Sequence, residues 1–375
     1  MNSIIYLGID VHSTNYTFCA LSVTLGEEPK VIAMNQTESD DVRALEMVEH
    51  LRKQYGEDTA IICGYEAGCL GFTLYHTLDN HGIECKILAP TTIPTAKGKK
   101  RIKTDRRDAK MIAENLAYNT CSFVAVPEDG DMEIRDYIRM RDDYNAARKK
   151  IKQQILSFCL SHGYRCEATH WTAAHIKWLR TFECTSIHRE IMDEYLSGYD
   201  HLTEKLDRFE TRINEFADED KYREDVRNLS CFLGIKTLGA LSILTETGDF
   251  SRFSTANHYA SFLGLVPGEN SSGDETNHLG ITKAGNTHLR TTLVEASQGI
   301  CKGKVGFKSK DLSKRQRGCD PKVIDYADKA NERLRRRYYK LIRKGKKRNV
   351  AVTAVARELA CFIWGMKTGN IGAAS

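Results

Sequence analysis

The first 125 residues alternate short apolar runs with amphipathic segments. Three apolar runs in succession predict three strands, and helices and strands then alternate along the chain. The predicted strands are 4–9, 16–23, 31–35, 60–65 and 85–88, and the predicted helices are 42–55, 70–78 and 105–117. This order predicts an α/β domain over residues 1–125, in which a mixed sheet carries helices on its faces.

The pattern becomes helical and highly charged after residue 125. Between residues 126 and 228, long runs such as 140–160 and 187–216 repeat apolar residues at helical spacing. These runs predict long paired helices, which would form a coiled-coil spacer. Structural scaffolding is the default role of such a segment.

Residues 229–375 predict a third, mainly α-helical domain. It opens with CFLGIKTLGAL at 231–241, where a glycine turn joins two apolar helical stretches. The pattern resembles a helix-hairpin-helix, whose turn aims backbone N–H groups at a phosphate. An ordinary turn between two helices explains the pattern equally well, so both interpretations stay open.

The composition is that of a globular protein. Of the 375 residues, 41% are hydrophobic and 28% are charged, which suits two or three domains. No run of about 18 apolar residues is present, and the N-terminus lacks the features of a signal peptide. We therefore expect a bacterial cytoplasmic protein with no membrane partner.

The twelve cysteines are scattered without a Cys-x-x-Cys pair, so reduced thiols are expected. Cys159, His162, Cys166 and His170 nevertheless have the types and spacing of zinc ligands. A helix end followed by a turn with incidental thiols is the favoured explanation, because Gly163 interrupts the set. The zinc interpretation is left open.

The net charge of +5 is unevenly distributed along the chain. Residues 301–350 carry 19 Lys and Arg and 5 Asp and Glu, a net charge of +14, whereas residues 1–300 carry −10. The apolar residues of the basic segment repeat as one face of a helix. A nucleic-acid partner is favoured over a merely solvated helix. Its candidate contacts are Arg335, Arg336, Arg337 and Lys344.

Four acidic residues are candidate metal ligands. Asp10 and Glu66 each follow an apolar strand, and strand carboxyl ends carry the functional site in open α/β sheets. Asp105 and Asp108 share one face at the start of a predicted helix. Converging carboxylates need a cation, and oxygen ligands favour Mg²⁺ or Mn²⁺. Each acid alone is explained as a cap or a surface residue, but the four together predict a site for phosphoryl transfer.

Basic residues surround the pair Asp105 and Asp108. Cations that hold phosphates beside acids that hold a metal ion suit a nucleic-acid substrate. The candidate phosphate-binding residues of this segment are Lys99, Lys100, Arg101, Lys103, Arg106 and Arg107.

A polar segment around Ser272 is a second candidate for chemistry. Ser271 and Gly273 flank this serine, and Lys283 and Arg290 follow as candidate phosphate contacts. A serine hydroxyl can attack a phosphodiester when a base or a metal ion activates it and cations hold the phosphate. On composition alone, a Ser-Ser-Gly sequence is more often a turn.

The motifs together resemble those of a known family. In chain order they are GID at 8–10, YEA at 65–67, KTDRRDA at 103–109, GLVP at 264–267, SSG at 271–273 and TKAGN at 282–286. They resemble the DEDD transposases of bacterial insertion sequences, the IS110 group, which are relatives of the Piv DNA invertase. The resemblance spans nearly the whole chain.

The resemblance implies a RuvC-like, ribonuclease-H-fold domain, a coiled-coil spacer and a Tnp domain. It implies that Asp10, Glu66, Asp105 and Asp108 bind Mg²⁺ or Mn²⁺ and are catalytic. Ser272 is then the nucleophile that attacks DNA to form a phosphoserine intermediate. Ser271 stands beside it, so the assignment could shift by one residue.

The resemblance also implies partners. They are donor and target DNA and a bridge RNA, a structured non-coding RNA from the element's own end whose loops pair with both DNAs. The implied assembly is a tetramer, a dimer of dimers, whose protomers complete one another's sites. Such a protein associates with the nucleoid when it is active.

Three alternatives remain at this stage. A hydrolytic, structure-specific nuclease would use the same acids, with Ser272 only a turn residue. A nucleic-acid-binding protein without catalysis would use the acids structurally. A site-specific DNA invertase would act without an RNA guide.

Overall fold

A computed structural model describes residues 4–24, 28–68, 70–94, 104–269 and 278–371. The chain divides into two compact units, Met1–Val126 and Pro127–Ser375. The second unit contains both the expected spacer and the expected third domain. A further division at residue 228 stays a prediction.

The first unit is built on a five-stranded mixed sheet. Its strands are β1 (Ile4–Val11), β2 (Asn15–Val23), β3 (Lys30–Glu38), β4 (Ile61–Glu66) and β5 (Glu84–Leu88), in the order β3-β2-β1-β4-β5. The first three strands pair antiparallel, whereas β4 runs parallel to β1 and to β5. The helices are α1 (Asp41–Tyr55), α2 (Thr73–Asn80) and α3 (Asp105–Tyr118). The predicted mixed α/β sheet is confirmed.

Successive side chains of β1 face opposite sides of the sheet, and each side packs against different helices. Ile5, Leu7 and Ile9 are buried in one core together with α1 and α2. The opposite face of the sheet packs against α3. There, a Cβ atom at Gly8 would overlap the Ala109 carbonyl oxygen, and one at Gly64 would lie 2.7 Å from a Leu116 methyl carbon. The two glycines let α3 approach the sheet closely.

Replacing Gly8 by Ala is therefore expected to lower the free energy of unfolding by about 1–3 kcal/mol, because the added methyl group overpacks the α3 interface. Gly130→Ala is the control, since no described residue other than its neighbours in the helix lies within 4 Å of its Cβ position. We expect that variant to be unchanged or slightly stabilised. Urea denaturation measures both, and a Gly8→Ala protein as stable as the wild type would contradict the close packing.

The second unit is almost entirely helical. Its helices are α4 (Asp129–Ser161), α5 (Ala173–Thr181), α6 (Ser186–Ala217), α7 (Arg223–Leu229), α8 (Thr237–Thr247), α9 (Ala256–Phe262), α10 (Thr287–Cys301), α11 (Lys310–Arg315), α12 (Pro321–Arg343) and α13 (Arg348–Lys367). Two short strands, β6 (Pro267–Glu269) and β7 (His278–Ile281), pair antiparallel.

The long helices α4 and α6 form the predicted pair, and they run antiparallel. Tyr137 of α4 packs against Phe216 of α6, and Tyr144, one heptad later, packs against Phe209. One end of the pair continues into the large core of the second unit, because Ile138 and Ile213 belong to it. The predicted helical pair is therefore confirmed, and it shares a core with the helices after it.

The segment between α7 and α8 is the predicted glycine turn. Gly234 lies so close to α10 that a Cβ atom there would overlap the Ala296 carbonyl oxygen. Arg315 closes the turn from α11. Its guanidinium donates hydrogen bonds to the carbonyl oxygens of Ser230 at 2.6 Å and Leu233 at 3.1 Å. Packing and these hydrogen bonds explain the turn without a phosphate.

Within the described ranges, α13 is the one helix long and apolar enough to cross a bilayer, with a mean hydropathy of 1.2. Arg357 and Glu358 interrupt its apolar sequence. More than half of it, 56%, is buried, and Val355, Leu359 and Ile363 belong to the core of the second unit. It therefore packs as a core helix.

The four residues with zinc-ligand spacing do not come together. Among the residues that the structure describes, the one group of three possible metal ligands lies in the first unit. His162 ends α4 instead, packing against Phe158 and His188. Cys159 is buried in a small apolar core. The favoured explanation, a helix end with incidental thiols, agrees with this packing.

Candidate carboxylate site and nucleic-acid surfaces

The ends of β1 and β4 place two of the predicted acids side by side. These strands run parallel with Ile9 opposite Tyr65, so Asp10 and Glu66 occupy the next position on each strand. Because side chains alternate, both acids share the face that carries Gly8 and Gly64. That face packs against α3.

The first turn of α3 brings Asp105 and Asp108 to this edge. The Nε2 atom of His12 lies 3.3 Å from Oδ2 of Asp10 and 3.9 Å from Oδ1 of Asp105. One possible ligand atom from each of these three residues lies within 4.8 Å of the others. The structure thus brings Asp10 and Asp105 together, with His12 between them.

The electrostatics of Asp10 show that Asp108 belongs to the same group. Burial raises the pKa of the Asp10 carboxyl above its ordinary value of 3.8. His12 opposes that rise, and repulsion from Asp108 and then from Asp105 adds to it. Glu66 is exposed at the end of β4, on the neighbouring strand. The sequence-predicted acids therefore gather at one edge of the sheet.

Two amides hold the Asp105 carboxylate from the antiparallel half of the sheet. Asn15 of β2 and Gln36 of β3 each donate a side-chain hydrogen bond to its Oδ2 at 3.2 Å. Neither these two residues nor His12 was predicted from the sequence to belong to the site. The spacing of His12 two residues after Asp10 was the available signal, because such residues share a face of a strand.

The donor set fits a divalent metal ion. Oδ2 of Asp10 is buried and makes no hydrogen bond with a described residue, although His12 lies near it. Two carboxylates and an imidazole are ordinary ligands of such an ion. A cation would also relieve the repulsion that raises the pKa of Asp10.

Several predicted residues lie outside the described residues. They are the nucleophile candidates Ser271 and Ser272 and the basic residues Lys99, Lys100, Arg101 and Lys103. Arg106 and Arg107 lie in the first turn of α3 and are exposed. They stay candidates for phosphate contact.

Lys283 and Arg290, which follow Ser272 in the sequence, differ in their surroundings. Lys283 is exposed and has a left-handed backbone with φ of 57°. Arg290 is half-buried and donates hydrogen bonds to the carbonyl oxygens of Leu263 at 3.0 Å and Ala284 at 3.4 Å. Lys283 stays a candidate for phosphate contact. We assign Arg290 a structural role in place of the expected phosphate contact, because backbone carbonyls occupy its guanidinium.

The basic helix α12 has one buried and one exposed basic side. Arg335 is only 5% exposed, and its guanidinium donates hydrogen bonds to the carbonyl oxygens of Lys304 and Phe307. We therefore assign it a structural role instead of the expected nucleic-acid contact. Arg336 and Arg337 are exposed but form ion pairs with Glu332 and Glu358.

The end of α12 and the turn after it form an exposed basic surface. This basic surface consists of Lys340, Arg343, Lys344, Lys346 and Lys347. In the described part of the chain, none of these residues has a carboxylate partner within 4.0 Å. Of the contacts predicted on α12 and at its C-cap, Lys344 is the one that is both exposed and without an ion pair to a described residue.

Comparisons with known proteins agree with this architecture. Residues 226–306 match the model of the transposase IS116/IS110/IS902 family, and residues 7–162 match a DEDD transposase model of IS110 elements. The chain is 31% identical over 366 residues to the putative transposase y4qE of Sinorhizobium fredii, covering 96% of this chain and 87% of that protein. It is 29% identical to the transposase of insertion sequence element IS1533 from Leptospira borgpetersenii, covering 92% and 98%.

A solved structure of RuvC from T. thermophilus in complex with a Holliday junction substrate also matches. It shares 12% identity, covers 32% of this chain and 99% of that chain, and superposes with a TM-score of 0.24. The mixed sheet and the DEDD match confirm the RuvC-like, ribonuclease-H-like fold expected for the first unit.

Proposed function

This chain belongs to the IS110 family of DEDD transposases, and we propose that it cuts and rejoins DNA strands through a phosphoserine intermediate under the guidance of a bridge RNA. The observation that carries the proposal is the gathering of Asp10 and Asp105 within 4.8 Å of His12 at the edge of the sheet. Repulsion from Asp108 contributes to the raised pKa of the Asp10 carboxyl.

The acids have one role in this proposal. Asp10, Glu66, Asp105 and Asp108 would hold Mg²⁺ or Mn²⁺, and the hydrogen bonds from Asn15 and Gln36 fix the Asp105 carboxylate for that purpose. A divalent ion bound there would stabilise negative charge on the phosphate oxygens of the DNA.

The serine has the second role. The Ser272 hydroxyl loses its proton as its oxygen forms a bond to a DNA phosphorus atom, the phosphorus–oxygen bond to one deoxyribose breaks, and the released sugar oxygen takes up a proton to become a hydroxyl. A hydroxyl from another strand then attacks the phosphoserine and restores Ser272. Each step exchanges one phosphoester for another, so rejoining needs no nucleotide cofactor. We propose a tetramer, a dimer of dimers, as the active form, in the cytoplasm and at the nucleoid.

A covalent-adduct assay tests the mechanism. The protein is co-expressed with the non-coding flank of its element, incubated with element-end DNA and Mg²⁺, and denatured. We expect DNA-linked protein with the wild type and with Ser271→Ala, and none with Ser272→Ala. Free cleaved DNA that Ser272→Ala leaves unchanged would indicate a hydrolytic nuclease. An adduct that survives prior RNase treatment would favour an invertase without an RNA guide.

The basic surface at the end of α12 supports the RNA part of the proposal. Changing Lys340, Arg343 and Lys344 together to Gln is expected to lower the slope of log affinity against log salt by about 2 to 3, since each lost phosphate contact contributes roughly 0.7–0.9. Filter binding of the non-coding RNA between 50 and 300 mM salt, roughly the range over which such contacts are screened, measures this slope.

A control of equal charge change is available elsewhere on the chain. Lys53, Arg165 and Lys177 are exposed and lie outside the basic segment. Their triple change to Gln is expected to leave the slope nearly unaltered. Equal effects of the two triple variants would show that the slope depends on net charge alone. That result would contradict the assignment of RNA binding to the basic surface.

A further inference from the structure

The imidazole of His12 lies beside carboxylates from two different elements of the first unit. Its Nε2 atom lies 3.3 Å from a carboxylate oxygen of Asp10 on β1 and 3.9 Å from one of Asp105 on α3. We propose that His12 is a direct ligand of the metal ion in the carboxylate site, and that its nitrogen makes the site favour Mn²⁺ over Mg²⁺. The proposal rests on the metal site of the proposed function.

The backbone around His12 is fixed by the turn that joins β1 to β2. The His12 N–H donates a hydrogen bond to the Asn15 carbonyl oxygen at 3.0 Å. The Asn15 side chain in turn accepts a hydrogen bond from Thr14 and donates one to Asp105. The same short turn therefore positions the imidazole and one of the two carboxylates. Binding of an ion therefore requires little further ordering of these two side chains.

The surroundings of the imidazole favour a ligand over a simple counter-charge. A single surface ion pair would need only one carboxylate, whereas Nε2 lies near two that come from different elements. Oδ2 of Asp10 is buried without a hydrogen bond from a described residue. The side chain of His12 is 44% exposed, so an ion can reach the three donor atoms from solvent.

The donor set decides which ion is preferred. Mg²⁺ binds oxygen ligands and retains several water molecules, whereas imidazole is a better ligand for transition metals. Replacing one oxygen donor by nitrogen therefore shifts selectivity toward Mn²⁺. We expect the Mg²⁺ concentration that displaces half of the bound Mn²⁺ to fall about tenfold when His12 is replaced by Asp, which restores an oxygen donor.

Electron spin-echo spectroscopy of the full chain with Mn²⁺ alone tests the ligand directly. A directly bound imidazole gives ¹⁴N modulation of the Mn²⁺ echo. We expect that modulation in the wild type and in His50→Gln, a control at an exposed position on α1. It should be lost in His12→Gln and in His12→Asp. Retained Mn²⁺ binding by His12→Asp would show that this variant is folded.

The outcomes separate this inference from the function on which it rests. Bound Mn²⁺ without ¹⁴N modulation in the wild type would overturn the role of His12 and leave the carboxylate site standing. Tighter Mn²⁺ binding by His12→Gln would overturn it too, since the imidazole would then compete with the ion. A wild-type chain that binds no Mn²⁺ would contradict both the metal site and this inference.

Discussion

Replacing Asp10 by Asn is expected to lower the rate of DNA cleavage by about 10³-fold or more. The side chain of Asp10 is only 15% exposed, whereas that of Asp105 is 45% exposed. It lies beside His12 and Asp105, so the loss of its charge removes a central ligand of the proposed site. Single-turnover cleavage of element-end DNA measures the effect. Asp79→Asn, an exposed change on α2, is the control and should cleave normally.

The same variant is expected to be at least as stable as the wild type. The pKa of Asp10 is raised above 3.8 in the folded protein. The folded state thus holds this proton more tightly than the unfolded chain, and that stabilisation is lost as the pH rises from about 4 through the folded pKa. At neutral pH the charge opposes folding, so a neutral amide relieves it. An inactive Asp10→Asn that is also much less stable would show that its inactivity reflects misfolding.

Replacing Glu246 by Ala is expected to destabilise the second unit by about 3–5 kcal/mol. Glu246 is 3% exposed and accepts hydrogen bonds from Arg139 at 3.0 and 3.1 Å and from Asn286 at 2.6 Å. Arg135 lies 3.2 Å away and is itself mostly buried. Removing the carboxylate takes this partner from the mostly buried Arg135 and the hydrogen-bond acceptor from Arg139. Urea unfolding followed by tryptophan fluorescence measures the change, because Trp364 packs on the same core.

A matched surface pair provides the control. Glu215 pairs with Arg212 on α6, and both side chains are more than half exposed. Glu215→Ala is expected to change the free energy of unfolding by less than about 1 kcal/mol. Since Asn286 also caps α10, Glu246→Ala should loosen the start of that helix. Similar losses for the two variants would contradict the importance of burial.

Much of the first unit follows from its sequence. The apolar runs at 4–9 and 60–65 become the paired strands β1 and β4, since an uninterrupted apolar run suits a strand covered on both faces. An acid that directly follows such a run must emerge at the strand's end. The positions of Asp10 and Glu66 were therefore predictable. The roles of Asn15 and Gln36 were not, because they depend on the register of two antiparallel pairs.

The basic residues show where sequence reasoning reaches its limit. Arg335, Arg336 and Arg337 are adjacent in the sequence and look alike in a count of charge. Their surroundings differ because each residue of a helix is rotated by about 100° from the one before it. Arg335 faces the interior and meets carbonyl oxygens, whereas its two neighbours reach solvent and pair with acids. Which partner a guanidinium finds is decided by packing across distant segments.

The contacts of Arg315 bear on how far the chain can be shortened. The segment after residue 300 has the charge of a detachable tail, yet Arg315 holds four carbonyl oxygens of the turn between α7 and α8. A deletion that ends the chain at residue 300 would strip that turn of its donors and expose the core residues that α12 and α13 cover. The segment after residue 300 is therefore not a removable appendage. Point changes on its outer face, rather than truncation, are the way to separate nucleic-acid binding from folding.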